Sequence, residues 1–268
     1  MELNKVDGTF NFCESLINGC HVISCGQDSS YIDEKGNVRK KKVVKYNVMK
    51  PNGSLVCDIW FDTYKTSPEG EVIFGYEKTA SEYERILHLY DLENVGAKLV
   101  PTTTGKMLVN GPSLEEVVAD IYKYSYGFIN KEGNLVIEPV HDFIEFSTED
   151  SCIVTRVDVL IRYGYFDTVD GHQIAPIKFS KANDFAEGLA RVRYMNKYAF
   201  IDRNKVMDDA KDNSQYGIPP MEGAVGNFVD GKARVVIGNI STYYIDREGK
   251  PTTPPHSMVK RNRNSLFL

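Results

Sequence analysis

DFAEGLARVRYMNKYAFIDRNK, residues 184–205, decides the fold. In its centre Ala190, Val192 and Tyr194 fall to one side while Arg191, Arg193 and Met195 fall to the other, the period of two that belongs to a strand. Asn196 and Lys197 form a tight connection, because Asn tolerates positive φ. YAFID then returns as a second strand, and DRN turns the chain into a third. One unit is therefore a small antiparallel meander. A lone hairpin is marginal in water, so neighbouring units must stack to bury a common face.

The pattern recurs. YGFINKEGN from Tyr126, YGYFDTVDGH from Tyr163, YAFIDRNK from Tyr198 and YYIDREGK from Tyr243 all read aromatic, apolar, Asp or Asn, then a turn. Their key aromatics Phe128, Tyr165, Phe200 and Tyr244 stand 37, 35 and 44 residues apart. A second motif, F-x-[ED]-G-x-A-R-V, occurs at Phe185 and again 43 residues later at Phe228. Recurrence at this period marks a repeat architecture. The N-terminal half carries weaker echoes: SYIDEKGNV from Ser30 for the first motif, YNVMKPNGSLV from Tyr46 as a variant of it, and SPEGEVIF as a degraded form of the second. The total comes to about five or six units.

Composition agrees with this reading. The 268 residues are 42% hydrophobic and 11% aromatic, with 16 Tyr and 13 Phe against one Trp, which suits pleated, half-buried surfaces. A net charge of −5 from 37 acids and 32 bases supplies no general field for nucleic acid or an acidic membrane. The N-terminal segment lacks the apolar core of a signal peptide, and no run approaches the roughly 20 apolar residues of a spanning helix. The expectation is a cytoplasmic protein whose five cysteines stay reduced.

Three regions depart from the pattern. Residues 81–124 contain PSLEEVVADIYKY, where Ser113 and Glu116 form a capping box and Leu114, Val117, Val118 and Ile121 line one face, which predicts a helix. Residues 206–222 form an acidic insertion containing Pro and Gly, and residues 251–268 form a tail. The expected organisation is degenerate β-repeats over 1–75, an irregular helix-bearing segment over 76–125, clear repeats over 126–250, and the tail.

At these residues the chain resembles the tryptophan-glycine (WG) repeat proteins, whose units run aromatic-Gly-[FY]-I-[DN]-x-x-G, an apolar strand, then F-x-[ED]-G-x-A-x-V. Tyr126-Gly127, Tyr163-Gly164, Asp202, Asp246, Gly188, Ala190, Gly231 and Ala233 stand where that pattern expects, with Tyr in place of Trp and with Tyr198-Ala199 and Tyr243-Tyr244 in the later units. The resemblance covers residues 126–250, and 20–75 loosely. It implies an all-β repeat fold, no cofactor and a binding role.

The polar residues divide between chemistry and scaffold. Asp33, Asn130, Asp167, Asp202 and Asp246 could be read as acid–base groups, yet a catalytic pair is unique whereas a turn device recurs, so they are read as Asx turns. Cys13, Cys20, His21 and Cys25 have spacings unlike the close pairs of a zinc site, and Cys57 is distant, so no metal is expected. RKKKVVK at 39–45 is read as edge-protecting lysines, with KRNR at 260–263 left as a possible partner contact. Trp60 is read as a core anchor. No G-x-S-x-G, H-E-x-x-H, G-x-G-x-x-G or phosphate loop occurs.

The expectation is an all-β array of short antiparallel meanders, open rather than a closed propeller, acting without catalysis or cofactor as a module that binds another protein. Its contacts are placed at 206–222 and 81–124, where the repeats are broken. An enzyme built from two or more of His88, Asp208, Asp209 and Cys57 is the opposing expectation. A glycan-binding array, needing one solvent-facing aromatic per unit, is the third.

Overall fold

The computed structural model describes residues 10–32, 36–78, 123–157, 161–208, 215–238 and 241–255. They are all-β, and every sheet is an antiparallel meander. The first sheet joins β1 (Asn11–Ser15), β2 (His21–Ile32) and β3 (Val38–Met49); the second joins β4 (Thr63–Thr66), β5 (Val72–Glu77), β6 (Tyr124–Ile129) and β7 (Leu135–His141). The third holds β8 (Phe143–Phe146), β9 (Ser151–Val157), β10 (Ile161–Asp167) and β11 (Gln173–Phe179); the fourth β12 (Lys181–Ala186), β13 (Leu189–Tyr194), β14 (Lys197–Asp202) and β15 (Ile218–Met221); the fifth β16 (Ala224–Val225), β17 (Ala233–Ile237), β18 (Ser241–Ile245) and β19 (Pro251–Thr252). Two compact units result, Met1–Phe143 and Ile144–Leu268. The helix expected around Ser113 and Glu116 lies outside the described residues.

The opening stretch supplies the end of β12 and all of β13 and β14, the last two in continuous register from Leu189↔Asp202 to Tyr194↔Lys197. Its two connections are two-residue turns with positive φ at both positions, Glu187–Gly188 (55° and 78°) and Met195–Asn196 (45° and 65°), the hairpin turn whose twist matches that of the strands. The second turn sits one residue earlier than the expected Asn196–Lys197.

Burial differs from the one-sided expectation. Phe185, Ala190, Val192, Ala199 and Ile201 pack with Tyr165, Ile174, Ala175 and Phe179 of the third sheet, while Leu189, Phe200 and Ile218 pack with Val225, Phe228, Ala233 and Ile245 of the fifth. The fourth sheet is thus covered on both faces. The arginines read as outward-facing stay half-buried, and Arg191 hydrogen-bonds the Val225 carbonyl. The first unit has its own core of Leu16, Cys20, Val22, Val48, Phe61, Val72, Phe74 and Ile129.

The Gly of the Tyr-Gly pair has a local cause. Between Tyr163↔Phe179 and Tyr165↔Ala175, β10 advances two residues while β11 advances four. The surplus presses on Gly164, where a Cβ would meet Ile177 Cγ1 at 2.8 Å and the Ala175 oxygen at 2.9 Å. β7 has the same surplus opposite Gly127. Opposite Ala199, β15 advances only three residues, and a methyl is accommodated.

Candidate functional site

The repeated acids serve turns. Asn130 Oδ1 accepts the N–H groups of Glu132 and Asn134 at 3.1 and 2.9 Å. Asp167 Oδ1 takes those of Val169 and Asp170 at 2.7 and 3.2 Å, and Asp202 Oδ1 that of Asn204 at 3.0 Å. Asp246 Oδ1 takes those of Glu248 and Lys250, both at 2.9 Å. Asp33 lies outside the described residues.

The same backbone turn is present at three places where sequence reasoning missed it or classed it differently. Residues 130–134 and 246–250 close with the first N–H on the fifth carbonyl and the fourth N–H on the first carbonyl, and so do 16–20, 50–54 and 67–71. The fourth residue is always a Gly with φ between 72° and 88°, the left-handed position of a three-residue hairpin loop. Ser67 Oγ replaces the Asx oxygen by accepting Glu71 N–H at 3.2 Å. Leu16 and Lys50 cannot, so Asn18 and Asn52 cap from two residues on, at 2.9 and 3.0 Å. The Asn-Gly pairs were the available signal. SYIDEKGNV likewise joins the last two strands of its sheet, the long β2 and β3, with residues 33–35 of its turn outside the described residues.

In the second unit acids at the turns wire sheet to sheet. Both Glu149 carboxylate oxygens accept Gly188 N–H, at 3.0 and 3.1 Å, and Glu187 Oε2 accepts Gly231 N–H at 2.8 Å. Arg203 donates to the carbonyls of Glu149 (2.7 Å) and Asp150 (2.9 Å) and to Asp167 Oδ2 (2.5 Å). Asp184 accepts the Ser147 hydroxyl at 2.9 Å. All three acids of the opening stretch, Asp184, Glu187 and Asp202, are therefore occupied structurally.

Among the described residues, one group of three potential metal ligands converges: Asp167, Asp170 and His172, within 4.8 Å of one another. Asp167 is already committed to two backbone N–H groups and Arg203. Asp170 Oδ1 takes His172 N–H at 3.0 Å and lies 2.6 Å from His172 Nδ1. Those hydrogen bonds, the backbone one foremost, hold the Asp170 carboxyl below its ordinary value. These contacts are turn wiring.

The N-terminal cysteines do not converge. Cys20 and Cys25 are buried, Cys13 is exposed, Cys57 is half-buried, and none of the five cysteines forms a disulfide. Burial raises the thiols of Cys20, Cys25 and Cys57, which disfavours the reactive thiolate. His21 instead meets Ser15 Oγ at 3.1 Å and the edge of Phe12. Of the four residues named for an enzyme, His88 and Asp209 lie outside the described residues, Cys57 belongs to the first unit and Asp208 to the second.

The 206–222 segment is partly scaffold. Met207 and Tyr216 enter the core beside Phe179, and Ile218–Met221 is the last strand of the fourth sheet. Residues 81–122 lie outside the described residues, but the flanks of that segment are tied: Lys78 Nζ donates to the Tyr124 carbonyl at 2.7 Å and pairs with Asp142 at 3.1 Å, both side chains buried. Trp60 stacks on Phe10 with centroids 5.7 Å apart and stays half-buried, so the anchor of this segment is the fully buried Phe61. Phe128, Tyr165 and Phe200 are also fully buried, and these positions present no row of solvent-facing aromatics for sugars.

What projects is basic. β2 and β3 pair without a shift from His21↔Met49 to Ile32↔Val38, while β1 reaches only to Ser24. Beyond Cys25↔Lys45 lie seven further pairs, which among the described residues form a two-stranded ribbon roughly 20 Å long. No residue of it whose burial is described is buried, and Arg39, Lys40, Lys41 and Lys42 are exposed on β3. No helix of the described residues is long and apolar enough to cross a membrane.

Against known families, residues 126–157 and 163–198 match the WG containing repeat. No curated protein matches the chain.

Proposed function

We propose that this WG-repeat β protein is a non-enzymatic binding module that recognises another protein. The observation that carries the proposal is the division of its polar residues: the recurring Asx, Glu and Arg groups are spent on turns and on wiring between sheets, while a basic β-ribbon stands clear of any core. A β scaffold that carries an exposed ribbon suits recognition, and it asks for no buried polar site. Cytoplasmic placement, without a cofactor, belongs to the same proposal. The test is affinity capture with the tagged full chain, followed by reconstitution with the purified partner. A saturable complex is expected; recovery of no protein that rebinds in purified form would count against the proposal.

A further inference from the structure

The outer edge of β3 is used at its root. Tyr46 and Phe61 exchange both main-chain hydrogen bonds, at 2.8 and 2.9 Å. The next residue of that segment, Asp62, places its carboxylate on Lys45 Nζ. There the chain leaves to begin β4, and among the described residues no strand pairs with this edge from Val38 to Val44.

Because a strand alternates with period two and the β2–β3 register has no shift, the main-chain groups of Val44, Lys42, Lys40 and Val38 point the same way as those of Tyr46. The edge that accepts Phe61 thus continues outward for four more residues of the right parity. Lys40 and Lys42 lie on one face of the ribbon and Arg39 and Lys41 on the other, and only Lys42 stands opposite an acid, Asp28.

Resting on the binding-module reading, we propose that the Val38–Val44 edge is where the partner docks, as an extended acidic segment that adds a strand antiparallel to β3. That strand repeats farther out what Phe61 and Asp62 do at the root: main-chain pairing supplies affinity, and carboxylates on Lys40 and Lys42 supply selection. Asp or Glu at alternate positions falls opposite Lys40 and Lys42. The same lysines repel a second copy of this edge, so the ribbon stays open to an acidic strand while refusing its own kind. Edge pairing favours a protein segment over nucleic acid, whose phosphates use charge but not the free N–H and C=O row.

The test uses the full chain and a fluorescent peptide of alternating Glu and Thr, about nine residues long. Three competitors accompany it: the same peptide N-methylated at alternate amides, its Lys counterpart, and a DNA duplex. Saturable binding of the Glu peptide is expected, weakened by about tenfold or more in Lys40→Glu/Lys42→Glu, weakened less in Lys40→Gln/Lys42→Gln, and weakened by added salt. Loss of competition on N-methylation is also expected. Equal competition by the methylated peptide would overturn edge pairing, and tighter binding of the duplex would overturn the choice of a protein strand. Unchanged circular dichroism of both variants excludes misfolding as the cause. Capture with wild type and variant then separates two failures: a partner held equally by both overturns the docking edge alone, whereas no partner for either overturns the binding-module reading itself.

Discussion

Replacing Arg203 by Ala removes one of the groups that tie the third sheet to the fourth at their turns. The guanidinium donates to two carbonyls and to Asp167 Oδ2, and the two paired side chains are only 16% and 9% exposed. Losing one partner of so enclosed a pair leaves an uncompensated carboxylate, which costs about 3–5 kcal/mol. Asp167 keeps two backbone N–H donors on its other oxygen, which places the expectation near the lower end, about 3 kcal/mol. With a urea slope of about 2 kcal/mol per molar, the midpoint falls by about 1.5 M. Urea titration followed by circular dichroism reads this directly, and Asp167→Asn, which retains the Asx oxygen, should fall by less. A loss below about 1 kcal/mol for Arg203→Ala, the range of exposed pairs, would refute the assignment of Arg203 as a link between sheets.

Other expectations follow from packing and ionisation. Phe200→Ala empties a fully buried site whose ring lies 4.9 Å from that of Phe228 and should cost about 3–5 kcal/mol in the same titration. Gly164→Ala drives a methyl to 2.8 Å from Ile177 and should cost about 1–3 kcal/mol, whereas Ala199→Gly should cost about 1 kcal/mol or less; equal losses would contradict the role given to the β11 surplus. Burial raises the Tyr216 phenol to about 12 from an ordinary 10. Stability from its neutral form is complete below pH 10 and is lost as pH rises from 10 through 12. Thermal melting across that window should therefore fall less steeply in Tyr216→Phe than in wild type.

The strands of residues 126–250 were legible because alternation of apolar and polar residues is local, and the Asx turns because they recur. The equivalence of the 16–20, 50–54 and 67–71 turns was hidden, since the same backbone is held by Asn18, Asn52 or Ser67 in place of an Asp at the first position. Two-sided burial of the fourth sheet was hidden too. Arg191 reads as solvent-facing in any alternation, yet its stem crosses an interface to reach the Val225 carbonyl, a contact 34 residues away in sequence. β15 was disguised by Pro219 and Pro220, tolerated because it is an edge strand. Deleting 206–222 would consequently remove a strand together with the insertion. The basic run was visible as composition, but its place on a ribbon depends on β1, among the described residues, pairing no farther along β2 than Ser24, which no local pattern announces.

Hydrogen exchange of the full chain with and without the acidic peptide tests the central claim most directly, because it locates binding on the backbone. The outward amides of Lys40 and Lys42 should exchange quickly in the free protein and slow on peptide addition, with Gly188 and Gly231 already protected by their carboxylates and unchanged. Protection appearing at the turns or sheet faces, with Lys40 and Lys42 unaffected, would contradict the claim that the repeats are scaffold and the ribbon is the recognition element.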